Sequence, residues 1–305
     1  MGIYTVRGKI DNESLGFTYA HEHMQINLSK IKGDDDTNFN DVDAVIEEMK
    51  VLKSLGVKSI IDVTNRGMGR DLEKISHISE QSGINVILCT GFYKEPYLPS
   101  ECYEGTTKAI SSIMINELMN GIEDSGIKAH LIGEIGSSKD VMTPVEEKIF
   151  TAAARASLET GAPITTHTTL GTFALEQIKL FEQMQVNLRK VIIGHLDLKC
   201  DRDYHLRIAD KGVNLAFDTI GKLNYESDEV RAQHIVHLIE RGHLGQVILS
   251  QDITRKSHLK RHGGIGYQYL VESFLPMLLK MGVSEAQIKA MTIENPLRIL
   301  NRGIL

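Results

Sequence analysis

The pattern with the clearest chemical potential is His21-Glu22-His23, which ends an apolar and aromatic run at residues 16–20. Residues two apart on a β-strand point to the same face of a sheet. Both imidazoles are therefore expected to reach one metal ion, while Glu22 points the other way, toward a neighbouring strand. A single His-x-His pair is often a chance occurrence, so its weight depends on the residues further along the chain.

Further candidate metal ligands stand at the ends of later apolar segments. In chain order they are Glu134, His167, His195 and Asp252. Imidazole nitrogen and carboxylate oxygen suit Zn, Mn, Fe, Co or Ni, and the lack of thiolates favours a catalytic over a structural site. One catalytic zinc usually keeps three protein ligands, so six ligands indicate two metals about 3.5–4 Å apart that share a carboxylate and a hydroxide.

Eight short β-like segments carry these residues. Most are continuous runs rich in Val and Ile, which is typical of strands buried on both faces of a parallel sheet. The predicted strands cover residues 16–23, 58–63, 85–91, 129–134, 163–167, 191–195, 213–218 and 247–252. Segments with helical periodicity lie between most of them, at residues 41–55, 144–158, 173–184 and 229–239.

Eight strands alternating with helices in 305 residues predict an α/β fold, a (β/α)8 TIM barrel, as one domain over residues 1–305. The alternative is a doubly wound open sheet, which more often has a Gly-rich loop after its first strand, where this chain has His-Glu-His. Barrel active sites lie at the carboxyl ends of the strands. The candidate ligands are therefore expected on one rim, with residues 29–40 as a polar surface loop over the mouth.

Two further acidic residues near this rim are given supporting roles. Asp218 ends the seventh predicted strand and is expected to be structural or to support a ligand. Asp197, two residues after His195, is expected to orient a ligand histidine.

The composition is that of a globular chain, with 42% hydrophobic and 24% charged residues. A net charge of −6 argues against nucleic acid or an anionic membrane as partner. Cys89, Cys102 and Cys200 form no disulfide framework, and neither a secretory leader nor a membrane-length apolar run is seen. We expect a cytoplasmic protein that binds a small molecule. A homodimer is compatible with such a barrel.

The motifs resemble those of the phosphotriesterase-like branch of the amidohydrolase superfamily. The matching stretches are residues 18–23 (TYAHEH), 133–136 (GEIG), 166–168 (THT), 193–197 (IGHLD), 250–255 (SQDITR) and 294–296 (ENP). They cover nearly the whole chain in the family's order. Phosphotriesterases of this family bridge two metals with a carboxylated lysine on the fourth strand, where this chain has Glu134. The shorter glutamate should alter the metal spacing, so phosphotriesterase activity does not transfer with the resemblance.

The resemblance implies a role for each ligand. The buried metal would be held by His21, His23 and Asp252, the exposed one by His167 and His195, with Glu134 bridging both. The two divalent ions are zinc by default, although manganese fits these ligands about as well. A bridging hydroxide would attack the substrate, and Asp252 would carry the proton to the leaving group.

Basic residues after the last two strands indicate the substrate class. Lys222, Arg255 and His258 are predicted to receive an anionic group such as a phosphate or carboxylate, because loops after strands seven and eight often bind phosphate in this fold. The alternative is a solvated charge run or ion pairs that hold a loop. Phe92 and Tyr93 are expected to line an apolar part of the pocket, or to be ordinary loop aromatics.

The predicted activity is metal-dependent hydrolysis of an ester-like bond, with a lactone, phosphorylated or not, or a carboxyl ester favoured. Relatives with basic residues in these loops resemble hydrolases of phosphorylated sugar lactones. The alternatives are hydrolysis of a phosphotriester or aryl ester, another metal-dependent reaction such as isomerisation or decarboxylation, and a metal-free sensor barrel without catalysis. A silent barrel is expected to lack some ligands, and here all six positions are filled.

Overall fold

The computed structural model describes residues 2–302, and its centre is a sheet of eight parallel strands. The strands are ordered in the sheet as they are along the chain, which is the order of a (β/α)8 barrel. They are β1 Phe17–Glu22, β2 Val57–Asp62, β3 Asn85–Thr90, β4 Leu131–Ser137, β5 Ile164–Thr168, β6 Val191–Ile193, β7 Asn214–Phe217 and β8 Val247–Leu249. The predicted TIM barrel is confirmed.

The strand ends differ from the predicted ends in a way that matters for the site. β4 continues to Ser137, so Glu134 lies inside the strand and not at its end. β6 and β8 stop after three residues each, so His195 and Asp252 lie just beyond them. An apolar run shows which residues are buried, but it does not show where the hydrogen-bond ladder stops.

Side chains join the first and last strands and so complete the ring. The Glu22 carboxylate accepts hydrogen bonds from Ser250 Oγ at 2.7 Å and from the backbone N–H groups of Gln251 and Ile253 at 2.7 and 2.9 Å. The backbone N–H of His21 donates to Ser250 Oγ at 3.1 Å. Glu22 therefore faces the neighbouring strand, as its place between two inward-facing histidines predicts.

Helices follow the strands around the outside of the barrel. They are α1 Val42–Ser54, α2 Leu72–Ser82, α3 Thr107–Met119, α4 Pro144–Thr160, α5 Ala174–Gln183, α6 Arg202–Ala209, α7 Asp228–Glu240 and α8 Leu275–Lys280. Side chains of Asp41, Asp71, Thr143 and Ser227 accept backbone N–H groups at helix starts, which fixes where those helices begin. None of the helices in residues 2–302 is long and apolar enough to cross a membrane.

Shorter elements complete the chain. Two short helices, Ser29–Lys32 and Ser100–Glu104, precede α1 and α3. A π-helical turn at Leu270–Phe274 leads into α8, and another at Ala290–Glu294 joins Glu285–Lys289 to Asn295–Leu300.

The hydrophobic core has two layers, one on each side of the sheet. The neighbouring residues Ile60 and Ile61 are both buried, the first between sheet and helices and the second inside the barrel. At the amino end of the strands, Ile3 of the antiparallel hairpin Ile3–Thr5/Gly8–Ile10 packs inside with Leu15 and Leu300. The amino end is thereby plugged, and the carboxyl rim is the end that holds the cavity.

Residues 29–40 are more ordered than the expected polar loop. After the helix Ser29–Lys32, a 3-10 turn at Asp35–Thr37 leads to the strand Asn38–Phe39, which pairs antiparallel with Ile26–Asn27. Buried Phe39 anchors the segment from below. Its acidic residues Asp34, Asp35 and Asp36 pair with Arg255 and Lys256 across the mouth, a partnership more than 200 residues apart that a local pattern does not reveal. We call residues 29–40 the lid segment.

Candidate metal centre

The six candidate ligands converge on the carboxyl rim as predicted. In the first group, His21 Nε2 lies 3.5 Å from Glu134 Oε2 and 3.7 Å from Asp252 Oδ1. His23 Nε2 lies 3.3 Å from Asp252 Oδ1 and 3.6 Å from Glu134 Oε1. Donor atoms about 2.1 Å from a tetrahedral metal ion are about 3.4 Å apart. These side chains therefore fit around one ion.

A second group shares Glu134 with the first. Glu134 Oε2 lies 3.1 Å from His167 Nδ1 and 3.5 Å from His195 Nε2. Two sets within this constellation have ligand atoms close enough to hold an ion: His21, His23 and Asp252, and Glu134, His167 and His195. Glu134 is thus in contact range of both sets.

Unpaired buried nitrogens support a metal in this place. Within the described chain, His21 Nε2 and His23 Nε2 are buried without a hydrogen-bond partner. Leaving a buried polar atom unpaired costs about 1–3 kcal/mol, so such atoms need a partner, and an imidazole nitrogen beside carboxylates suits a divalent cation. Burial favours a neutral carboxyl at Glu134, but the facing imidazoles, His21 first, hold the pKa of Glu134 well below its usual range.

Two of the ligands sit in a strained backbone conformation. His195 has φ +58° and Asp252 has φ +52°, in the left-handed region that few residues other than glycine adopt. Such conformations persist only where the surroundings hold them, and they cluster at functional sites. Here each follows a three-residue strand and turns the side chain back over the barrel.

Asp218 positions a histidine from each group. Its Oδ1 accepts from the His195 backbone N–H and lies 2.9 Å from His195 Nδ1, while its Oδ2 lies 3.0 Å from His21 Nδ1. His195 Nδ1 is hydrogen-bonded to the carboxylate, whereas His21 Nδ1 lies within ion-pair distance of it without hydrogen-bond geometry. Both rings turn Nε2 toward the candidate metal centre. Burial opposes ionisation of Asp218, but the imidazoles of His195 and His21 lower its pKa below the usual range.

The expected role of Asp197 is wrong. Its carboxylate contacts no ligand histidine. It accepts from the backbone N–H groups of Asp218 and Thr219 at 3.3 and 3.0 Å and from Arg231 Nε at 3.1 Å. The turn at His195 carries the chain away from the rings, so Asp197 supports the backbone of Asp218 instead.

A cavity of about 560 Å³ opens above the ligands, and Lys222, Arg255, His258 and Tyr93 all line it. The Lys222 ammonium contacts the Asp252 carboxylate. Tyr93 places its hydroxyl 3.2 Å from His167 Nδ1. Phe92 does not line the cavity, because it is fully buried below Arg66.

The basic cluster only partly matches its predicted role. Arg255 pairs with Asp34 at 2.6 Å and with Asp36 at 3.4 Å, so lid carboxylates already hold its guanidinium. Burial lowers the pKa of His258 to about 4, so it faces the cavity as a neutral ring at pH 7. Lys256, Arg261 and His262 form ion pairs with acidic residues. Such ion pairs hold a loop in place and leave these three side chains no role as free cations.

Sequence reasoning missed several residues that line the cavity. They are Lys32, Lys94, Tyr97, Thr219 and Tyr225. Lys94 directly follows Tyr93, so its position after β3 could have identified it as a cavity residue. The sequence around Lys32 gives no such indication, because only the folded lid segment brings Lys32 to the cavity.

Fold and site together define a TIM barrel with a candidate metal centre of four histidines and two carboxylates on its carboxyl rim. The chain matches the phosphotriesterase family over residues 1–300 and belongs to that family. The resemblance found in the motifs is thus confirmed.

Individual relatives agree with this placement. The phosphotriesterase homology protein of Escherichia coli (strain K12) is 42% identical over 281 residues, which is 92% of this chain and 96% of that protein. Its crystal structure, complexed with phosphate in the active site, gives a TM-score of 0.93 at 41% identity and covers 94% of this chain and 99% of that chain.

Two further relatives are hydrolases by name. A lactonase from Listeria monocytogenes gives a TM-score of 0.94 at 31% identity over 100% of both chains. The N-acetyltaurine hydrolase of Xenopus tropicalis is 28% identical over 336 residues, which is 96% of this chain and 96% of that protein.

Proposed function

We propose that this chain is a dinuclear metal-dependent hydrolase that cleaves a lactone or carboxyl ester carrying an anionic group. The observation that carries the proposal is Glu134, whose carboxylate faces His23 through one oxygen and His21, His167 and His195 through the other. A carboxylate placed between two sets of imidazoles is what a pair of ions sharing one ligand requires.

The six candidate ligands are positioned to hold the two ions. His21, His23 and Asp252 would hold one and His167 and His195 the other, with Glu134 shared. When bound, divalent ions supply Lewis acidity and lower the pKa of water toward about 7. The donor set suits zinc or manganese about equally.

Asp252 and Lys222 are placed where the proton of the hydrolysis reaction must be transferred. Asp252 Oδ1 faces the two histidines of the first group, and its Oδ2 contacts the Lys222 ammonium. Burial raises the pKa of Asp252, but Lys222 and the imidazoles hold it well below its usual range, so the carboxylate is ionised and able to accept a proton. From this position it would take the proton released as water adds to the carbonyl carbon and deliver it to the alkoxide that leaves when the ester C–O bond breaks. The Tyr93 hydroxyl, beside His167, is placed to orient the substrate.

The cavity favours an anionic substrate. Lysines 32, 94 and 222 line it together with Arg255, and a neutral phosphotriester gains little from such a lining. The E. coli relative holds phosphate in its active site, and the Listeria relative is a lactonase. These observations support a lactone with a phosphate group over a neutral organophosphate.

The test is proton release from a phosphorylated five-carbon sugar lactone by enzyme reconstituted with zinc or manganese. The matched substrates are the same lactone without phosphate and an aryl phosphotriester. We expect turnover of the phosphorylated lactone to exceed both. No lactone turnover by enzyme with two bound metals would overturn the lactonase assignment, and faster phosphotriester turnover would replace it. An enzyme that binds no metal would instead indicate a silent barrel.

We also propose that the protein acts in the cytoplasm on a small molecule. All three cysteines are unpaired, two of them buried, which supports a reducing compartment.

A further inference from the structure

Four cationic side chains line the cavity, and they differ in what already holds them. Arg255 is paired with Asp34 and Asp36 of the lid segment. Lys222 is paired with Asp252. Lys94 donates to the Glu95 carbonyl at 2.9 Å. Lys32 has neither an ion pair nor a hydrogen-bond acceptor among residues 2–302.

The backbone around Lys32 is fixed although its ammonium is free. Lys32 ends the helix Ser29–Lys32, and the next residue, Gly33, takes the left-handed conformation that stops the helix. The following turn is tied to the other side of the mouth through Asp34 and Asp36. The backbone around Lys32 is therefore already ordered in the folded protein. A ligand that binds Lys32 does not have to compensate for the loss of that backbone entropy.

The cations in this part of the cavity repel one another. Partial burial lowers the pKa of Lys32, and the charges of Arg255 and Lys222 lower it further. Asp36, which also lines the cavity, pairs with Arg255, and the carboxylates that raise the pKa of Lys32 are Asp252 and Glu134 of the candidate metal centre. An anion placed between Lys32 and Lys222 would relieve this repulsion.

We propose that Lys32 is the principal contact for the substrate's phosphate group and determines specificity for phosphorylated substrates. This inference rests on the proposed function, and it shifts the anion site from Arg255 to the lid segment. Arg255 then acts as a positioning residue, because its ion pairs with Asp34 and Asp36 hold the segment that presents Lys32.

The experiment compares Lys32→Met with Lys30→Met, since Lys30 lies on the same short helix and is exposed as Lys32 is, but does not line the cavity. We expect Lys32→Met to lower kcat/KM for the phosphorylated lactone roughly tenfold, the effect of one charge-assisted hydrogen bond. Its kcat/KM for the lactone without phosphate should stay within about twofold, because an uncharged substrate forms no such bond. Lys30→Met should match wild type on both substrates.

A binding measurement separates this inference from the proposed activity. Calorimetric titration with inorganic phosphate, on metal-loaded protein, should show the same roughly tenfold weakening in Lys32→Met and none in Lys30→Met, whatever reaction the enzyme performs. Weakened phosphate binding without any lactone turnover would uphold Lys32 and reject the lactonase. Unchanged phosphate affinity in Lys32→Met, or a loss found in Lys94→Met instead, would overturn the role of Lys32.

Discussion

The replacement Asp218→Asn tests how the two groups of ligands are held. Asp218 Oδ1 accepts both the backbone N–H and the Nδ1–H of His195, whereas Oδ2 serves only His21 Nδ1. The amide oxygen of the asparagine will take the place of Oδ1, where it accepts both the backbone N–H and the Nδ1–H of His195. Its NH2 group then faces His21, so His21 must present Nδ1 as an acceptor. That tautomer carries its proton on Nε2, the atom turned toward the metal.

The magnitude is set by the carboxylate contact that is lost. The metal-binding tautomer of His21 would point its Nδ1–H at an amide NH2 instead of the carboxylate oxygen that lies 3.0 Å away, and we take the loss as comparable to that of a charge-assisted hydrogen bond, about 1.5–3 kcal/mol. We therefore expect roughly 10–100-fold weaker binding of one metal, the range found when a residue that supports a metal ligand is replaced. The affected ion is the one held with His23 and Asp252. The site of His167 and His195 should change little, because His195 keeps its partner.

The assay is metal titration against a chelator of known affinity, which resolves tight and weak equivalents. The matched control is Asp228→Asn. Asp228 is also buried near the rim and accepts from Gly221 and Arg231, but it touches none of the candidate ligands. Asp228→Asn should bind both metals as wild type does. Two wild-type equivalents in Asp218→Asn, or equal weakening of both, would refute the reasoning.

Two further replacements test the shared ligand and the amino end of the barrel. Glu134→Ala should release both metals and abolish activity, because both groups lose a ligand. Metal content and turnover are measured on the same preparation. Retention of two tightly bound metals would contradict a bridging role. Burial, with a smaller effect of Arg302, lowers the pKa of His130 to about 3. Because the unfolded chain then binds the proton more tightly, the contribution of His130 to stability is lost as the pH falls below about 6.5. Urea unfolding should show that His130 makes the free energy of unfolding about 2 kcal/mol lower at pH 5 than at pH 7. The variant His130→Gln should lack this pH-dependent difference. The same pH dependence in His130→Gln as in wild type would show that His130 is not responsible.

The barrel and its ligand positions were predictable because both depend on local patterns. Continuous apolar runs mark strands buried on both faces, and a polar residue that ends such a run is placed on the rim by the fold itself. All six ligand positions, from His21 to Asp252, were found in this way. Their metal-binding role is still a prediction, which the distances and unpaired nitrogens support.

The errors lie where the answer depends on contacts between distant segments. Asp197 and Asp218 both come after a ligand or a strand, and only the turn at His195 decides which of them reaches an imidazole. Arg255 resembles a free cation in the sequence, but its charge is taken up by Asp34 and Asp36, more than 200 residues away. Lys32 resembles part of a polar loop until that same pairing draws it over the cavity.

The His-Glu-His motif also has a structural role, through the glutamate between its two histidines. Glu22, between the two histidines, accepts the backbone N–H groups of Gln251 and Ile253, one on each side of Asp252. Those two bonds hold the backbone before and after Asp252 and so support its left-handed conformation, which an unsupported turn would not keep. The strand that presents two candidate ligands thus also fixes a third, and it does so across the seam where the barrel closes. The contacts that close the barrel are therefore the same contacts that hold Asp252 beside the two candidate histidines.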